Sequence, residues 1–346
     1  ENYLFYFILI LYFFSGIYQI NYQYWSSMMD HDFYILYNSL LISSGAEQEG
    51  RDHPAFITFL VHGYIFKIVS IIQNDFSSNI DVILNSGRIN ETFQFYFKIS
   101  RITNFLINSL LFLCFLKLIN LLKFQKKVIL FSSFIFLFSS WYMLSFFSLR
   151  SENLSLLFVI LSIIFIIKND EIKLANYFIS GIFFSLAMFT KIQIIFFILY
   201  IFFFIGININ NEKRIYKLNI FSKIIKNYLI YSLIFLIFCY LIFQLSIQEF
   251  PRFERNKYLD LFVFCVGLIA ISFYFFVTSN FNYQLVKEKI ILLSTFLHGF
   301  VCCFIVLVLS DYLKILNIND FIFLRITNPI HYMSEFEAIY AEGVIG

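Results

Sequence analysis

Two aspartates flank a histidine at positions 30–32, and twenty residues further on the chain reads Asp52-His53-Pro54. A carboxylate in such a place can take a proton from an attacking hydroxyl as a general base. Asp30 and Asp32 in a turn could also share a divalent cation, whose ligands are oxygens. A histidine at a water–lipid boundary, such as His53, can hold a phosphate or shuttle a proton. Further along stand Arg101 in KISRITNF, Arg150-Ser151-Glu152, and Lys191 in AMFTKIQ. Arginine offers a planar two-toothed fork to a phosphate. Lys191 could neutralise one, and Glu152 could position an acceptor or a metal.

Each of these groups has a plainer reading. Asp30 and Asp32 could solvate and cap an amphipathic helix over DFYILYNSLLISSG, because short acidic side chains satisfy the free N–H groups of a first turn. Asp-His-Pro is a good helix start, with proline in the first turn. Arg101 reads as an anchor to lipid headgroups. Arg150 and Glu152 read as a local ion pair, with the acid favoured at a helix N-terminus. Lys191 could snorkel from a span to water, and His298 reads as a polar packing residue.

The elements that must position these residues lie in lipid. The chain is 60% hydrophobic and 14% charged, with a mean hydropathy of +0.79, which excludes an ordinary soluble domain. Against that background the segment from Asp30 to Pro54 holds five carboxylates (Asp30, Asp32, Glu47, Glu49, Asp52), two histidines and Arg51. Such a cluster beside a span is costly unless it faces water or a polar substrate. The abundance of Phe, Ile, Tyr, Asn and Lys looks like codon bias and is not read as a binding surface. A net charge of +3 with scattered basic residues argues against nucleic acid as a partner. The cysteines, Cys114, Cys239, Cys265, Cys302 and Cys303, all fall in apolar runs without a CxxC; they read as packing residues. There is no Walker A, GxGxxG, HExxH or GxSxG motif.

Charge-poor runs long enough to cross roughly 30 Å of hydrocarbon occur at 3–20, 102–122, 128–149, 152–167, 174–190, 192–210, 228–247, 259–279 and 290–310. The run 54–72 opens with Pro54 and carries His62, Gly63 and Lys67 at its middle, which suits an interfacial helix better than a span. With that assignment the basic loops Lys123/Lys126/Lys127 and Lys213/Arg214/Lys217/Lys223/Lys226 fall on one side, with the weaker Lys168/Lys173 and Lys287/Lys289. By the positive-inside rule that side is cytoplasmic. The acidic segment, all three prolines (Pro54, Pro251, Pro329), Arg101, Arg150, Glu152 and Lys191 then share the opposite face. The expected fold is all-α: one polytopic transmembrane bundle over 1–346 with about nine spans and interfacial helices in a first outer loop, 21–100.

The order of these pieces resembles the GT-C superfamily of membrane glycosyltransferases, in the branch of the protein O-mannosyltransferases and the lipid A aminoarabinose transferases. In that branch a first span leads into an outer loop that opens with an acidic motif, followed by a surface helix, a His-Pro-Pro-Leu segment, an arginine opening the next span, and a second acidic motif. The counterparts here are Asp30 with Tyr34, the stretch ending at Gly45, Asp52-His53-Pro54-Ala55-Phe56, Arg101, and Arg150-Ser151-Glu152, with Thr190-Lys191 similar to a later Thr-Lys. The resemblance covers residues 1–200, with further spans over 201–346. It departs where His31 replaces a second acid, leaving Asp30 or Asp32 as the base, and where Ala55 replaces the second proline.

The resemblance implies an inverting transfer from a polyprenyl-phosphate sugar to a lipid, glycan or protein acceptor. Asp30 or Asp32 is the expected base. Arg101, Arg150, Lys191 and His53 are the expected phosphate and substrate ligands with Tyr34, and Glu152 is expected to assist at the acceptor. No cofactor is required, or a divalent metal joins Asp30 and Asp32. The site is expected on the extracytoplasmic face of a bacterial inner membrane. The rival readings are a transporter or flippase of lipid-linked saccharides, which should carry charges near the bilayer midplane and broken helices, and a non-catalytic membrane scaffold.

Overall fold

The computed structural model describes residues 10, 12–14, 16–18, 20, 30–46, 55–139, 142, 148–167, 173–191, 194, 197, 201, 204–205 and 283–312. Among them the protein is all-α, with no strand. Its helices are α1 (Asp30–Ser44), α2 (Phe56–Ile72), α3 (Ile80–Asn85), α4 (Ile89–Leu121), α5 (Lys126–Phe138), α6 (Ser151–Ile167), α7 (Leu174–Thr190) and α8 (Tyr283–Tyr312). Two compact units divide the chain. One comprises Glu1–Ile160, Leu186–Ile192 and Leu307–Gly346; the other comprises Leu161–Ser185 and Gln193–Val306.

In the first unit α1 and α2 form the closest helix pair, and their sequences explain why. Helix α1 buries Ile35, Leu36, Leu40 and Leu41 together with Asn38, Ser39 and Ser43. It is therefore enclosed on most sides and does not float as the amphipathic helix that its acidic start suggests. Gly63 of α2 lies against α1: a Cβ there would meet the Ser39 carbonyl oxygen at 2.9 Å and Cγ2 of Ile42 at 2.9 Å. Helix α2 is buried through Phe56, Phe59 and His62 in its first half and Phe66 one turn later. Its second half exposes Ile68, Ile71 and Ile72. His62 and Gly63 thus serve packing, with His62 Nδ1 at 2.9 Å from the Thr58 carbonyl oxygen. Burial pushes the His62 pKa down, so the ring is neutral.

Helix α3 is started by Asn79, whose side chain accepts from the Asp81 N–H at 2.9 Å, the usual relief for an unpaired first-turn donor. The chain then turns at Gly87, which has a φ of +68°, a left-handed conformation that costs glycine little. A shared apolar core of Leu36, Leu40, Phe66, Ile80, Ile83, Tyr96 and Phe97 ties α1 through α4 together.

Helix α4 is 33 residues long, about 50 Å at 1.5 Å per residue. Among the described residues it is the one helix long and apolar enough to cross a membrane by length and composition. It begins at Ile89, thirteen residues before the expected span at 102–122, because ETFQFYFKIS continues the helical burial pattern through Thr92, Phe93, Tyr96, Phe97 and Ser100. Helix α5 stops at Phe138, where Ser139 turns extended, so the expected run 128–149 is not one helix. Helices α6 and α7 match the runs 152–167 and 174–190, but each has 17 residues, or about 25 Å. The run 290–310 lies within α8. The runs 228–247 and 259–279, and most of 3–20 and 192–210, lie outside the described residues.

In the second unit, α7 and α8 meet through glycine. A Cβ on Gly181 would collide with the Phe296 carbonyl oxygen, and one on Gly299 with the Phe178 carbonyl oxygen. Ser162 and Ser180 share a buried hydrogen bond of 2.8 Å, which satisfies two hydroxyls inside an apolar contact.

The crossing of α1 and α2 yields a stability prediction. Gly63→Ala is expected to cost about 1–3 kcal/mol, the usual range for overpacking a tight contact, and to lower the thermal unfolding midpoint in detergent. Melting unchanged from the wild type would show that the two helices do not approach this closely.

Candidate functional site

Asp32 occupies the third position of α1, and the apolar sides of that helix carry it into the interior, where it is 1% exposed. Its Oδ1 accepts a 2.7 Å hydrogen bond from the Leu149 N–H. Its Oδ2 is buried with no hydrogen-bond partner. Ile35, Ala55, Phe59 and Leu149 pack as one apolar cluster beside it, with Tyr34 at the edge. Burial pushes the Asp32 pKa up to about 6, against the opposing pull of the Leu149 N–H and the positive charges of Arg101 and Arg150. Desolvation wins because a single N–H and two guanidiniums do not replace the hydration of a carboxylate.

Arg101 comes from α4. It lies well inside the helix rather than at its start, is 3% exposed, and sits 4.7 Å from the ring centroid of Phe97, one turn earlier. The cation thus rests on an aromatic face, with its charge felt at Asp32. A lipid-headgroup anchor would be exposed, so that reading of Arg101 fails. Asn104 and Asn108 follow Arg101 at helical spacings of three and seven, on the same face of α4, and both are buried.

That polar face grips the turn into α6. Asn104 Nδ2 donates to the Ser148 carbonyl oxygen at 3.1 Å, and Asn153 Nδ2 donates to Asn108 Oδ1 at 2.6 Å. Between these clamps, Leu149 N–H reaches Asp32, and Arg150 Nε donates to Ser148 Oγ at 3.2 Å. Below Asn108, its carbonyl oxygen accepts from the Tyr142 hydroxyl at 2.6 Å, which also meets the Tyr12 hydroxyl at 3.1 Å. Glu152 and Lys191 form an ion pair. The acid stands in the first turn of α6 and the lysine just past the last turn of α7, where helix dipoles favour each charge.

The sequence-predicted residues are therefore distributed as follows. Asp32, Arg101, Arg150, Glu152 and Lys191 gather around the segment 148–153. Tyr34 packs its ring edge-on against Phe59 at 5.8 Å, at the edge of the apolar cluster. Asp30 opens α1, but its side chain lies outside the described atoms. His53, with Asp52 and Pro54, lies outside the described residues. Asp30 and Asp32 both fall in helix α1, not in the turn that a cation shared between them was expected to need. Glu152 and Lys191 face each other as an ion pair. Sequence reasoning missed Asn104, Asn108 and Asn153. Their signal was present as amides spaced along an apolar run on the same face as Arg101.

No protein-family model matches the chain, and no characterised protein or solved structure matches it either.

A carboxylate whose folded pKa is raised stabilises the fold in its protonated form. That contribution is complete below the unfolded pKa of about 3.9 and disappears as pH rises through the folded value. At pH 7.5 the ionised Asp32 costs about 3 kcal/mol, from about two units at 1.36 kcal/mol each. Asparagine keeps an oxygen for the Leu149 N–H and carries no charge to desolvate. Asp32→Asn is therefore expected to melt higher than wild type at pH 7.5, with the gap closing as pH falls from about 6 to about 4. A variant that melts lower at pH 7.5 would contradict the uncompensated burial.

Proposed function

We propose that this chain is an integral-membrane glycosyltransferase of the GT-C type, using a polyprenyl-phosphate sugar as donor and the Asp32 carboxylate as base. The observation that carries this reading is one carboxylate oxygen, Asp32 Oδ2, buried without a donor under the positive charge of Arg101 and Arg150. A buried carboxylate left short of donors beside two cations is a candidate functional group on physical grounds. Asp32 is preferred to Asp30 as the base on that ground. The acceptor hydroxyl oxygen attacks the anomeric carbon as its proton passes to Asp32. The bond from that carbon to the phosphate oxygen breaks, and its electron pair leaves with the polyprenyl phosphate, inverting the sugar centre. Arg101 and Arg150 supply fixed positive charge for the leaving phosphate, in a site where low polarity strengthens it. The Glu152–Lys191 pair is locally neutral and holds the wall of the site; a phosphate that reaches Lys191 competes with Glu152 for it.

The surrounding architecture belongs to the same proposal. About nine spans enclose the site, and the segment 21–100 lies on the extracytoplasmic side of a bacterial inner membrane. The apolar length of α4 supports a membrane setting. The exposed Ile68, Ile71 and Ile72 at the end of α2 support an interfacial helix there, since such helices bury one apolar face at the lipid boundary. The acceptor is a lipid, a glycan or a protein.

The test is turnover in proteoliposomes supplied with short-chain polyprenyl-phosphate hexoses and pentoses, read as release of the free polyprenyl phosphate. Asp32→Asn is expected to lower turnover about 10²–10⁴-fold, the usual contribution of a general base, while the protein still inserts and melts cooperatively. The acid limb of kcat/KM is expected near pH 6, because Asp32 must be ionised to accept a proton and its pKa is raised to about 6. Wild-type turnover in Asp32→Asn would remove Asp32 from the reaction. Passage of the intact lipid-linked saccharide without release of its phosphate would favour a carrier instead.

A further inference from the structure

We propose that Asn104 is a positioning residue: it holds the Ser148–Leu149 backbone so that the Leu149 N–H stays aimed at Asp32 and Arg150 stays beside it. The geometry carries this assignment. Asn104 is 4% exposed, and its Nδ2 donates to the Ser148 carbonyl oxygen at 3.1 Å. The next residue supplies the 2.7 Å N–H donor to Asp32. The carbonyl that Asn104 grips and the N–H that Asp32 accepts belong to one peptide group. A planar peptide turns as a unit, so a hold on its oxygen fixes the direction of its hydrogen.

The lower half of the clamp makes the hold two-sided. Asn153 Nδ2 donates to Asn108 Oδ1 at 2.6 Å, one turn further along α4. The segment 148–153 is thereby fastened at both ends to the helix that carries Arg101. Buried amides are as a rule hydrogen-bonded, and Asn104 and Asn153 each donate within this clamp. Neither amide touches Asp32, so any effect on its chemistry passes through the backbone they hold.

Among the described residues, the charged groups that act on Asp32 are Arg101 from α4 and Arg150 from the clamped segment. Loss of the Asn104 grip frees both the Leu149 N–H and the segment bearing Arg150. Both changes favour the protonated acid, so they add rather than cancel. The effect on transfer rests on the proposed role of Asp32 as base. The effect on its titration does not.

The experiment is infrared difference spectroscopy of the full chain in detergent, with the Asp32→Asn variant as the blank. It follows the protonated carboxyl band of Asp32 against pH. In wild type the band is expected to disappear with a midpoint near pH 6. In Asn104→Leu, which removes the amide at similar size, the midpoint is expected to rise by at least half a unit, and Asn104→Gln should restore part of the shift. Asn104→Ala serves if the leucine variant does not accumulate, and Phe112→Leu controls for general loosening of α4, with its midpoint expected unchanged. An unchanged midpoint in both Asn104→Leu and Asn104→Ala, or an equal shift in Phe112→Leu, overturns the assignment. Because no sugar donor enters the measurement, a failed transferase assay leaves this result intact.

Discussion

A carboxylate withdrawn from water must find donors or surrender its charge, and the arrangement around Asp32 follows from that demand. Burial of α1 on most of its sides takes the acid inside. One donor, the Leu149 N–H, arrives from more than a hundred residues away in sequence, so the turn before α6 must be delivered to α1 and held there. The polar face of α4 does the holding, through Asn104 and Asn108. Arg101 on the same face brings a charge of the sign that an acid lacking hydration needs.

The magnitudes show a site left short of full compensation. If the donors around Asp32 matched its lost hydration, its pKa would fall below that of a free carboxylate, as it does when two or three N–H groups converge on one. Instead desolvation dominates, and the value rises to about 6. The neighbouring acid has the opposite fortune. Glu152 meets the Lys191 ammonium directly, with each partner at a helix end that favours it. The contrast separates a group held by its partners from one held against its own preference.

Much of this was legible in the sequence, and the rest was hidden for definite reasons. Periodic apolar runs foretold α6 and α7 to within a residue, because short loops with charges punctuate them. The start of α4 was obscured because its first three turns mix Glu91, Gln94 and Lys98 with aromatics. That part of the helix packs on α1 through α3 and need not satisfy a uniform apolar rule. The end of α5 was obscured for the opposite reason: SSWYMLSFF stays apolar past the helix end at Phe138, and hydropathy cannot see a break that no proline or charge marks. The charged site residues stood out by type. The asparagines did not, since an amide in an A/T-rich coding style looks like background until its face is compared with that of Arg101.

The same physics ties the site to its setting. In the proposed membrane setting an unsatisfied polar group is costly, so a helix bearing Arg101, Asn104 and Asn108 on one face is favoured with that face turned inward. Once turned inward, it requires partners with backbone or side-chain polar groups, and the non-helical stretch at 148–150 is where such groups are free to offer. A continuous helix over 128–149 would have spent those carbonyls and N–H groups on itself. The break after Phe138 and the buried polar face of α4 are thus two halves of one requirement. Together they bring a backbone N–H and two arginines to a single buried acid.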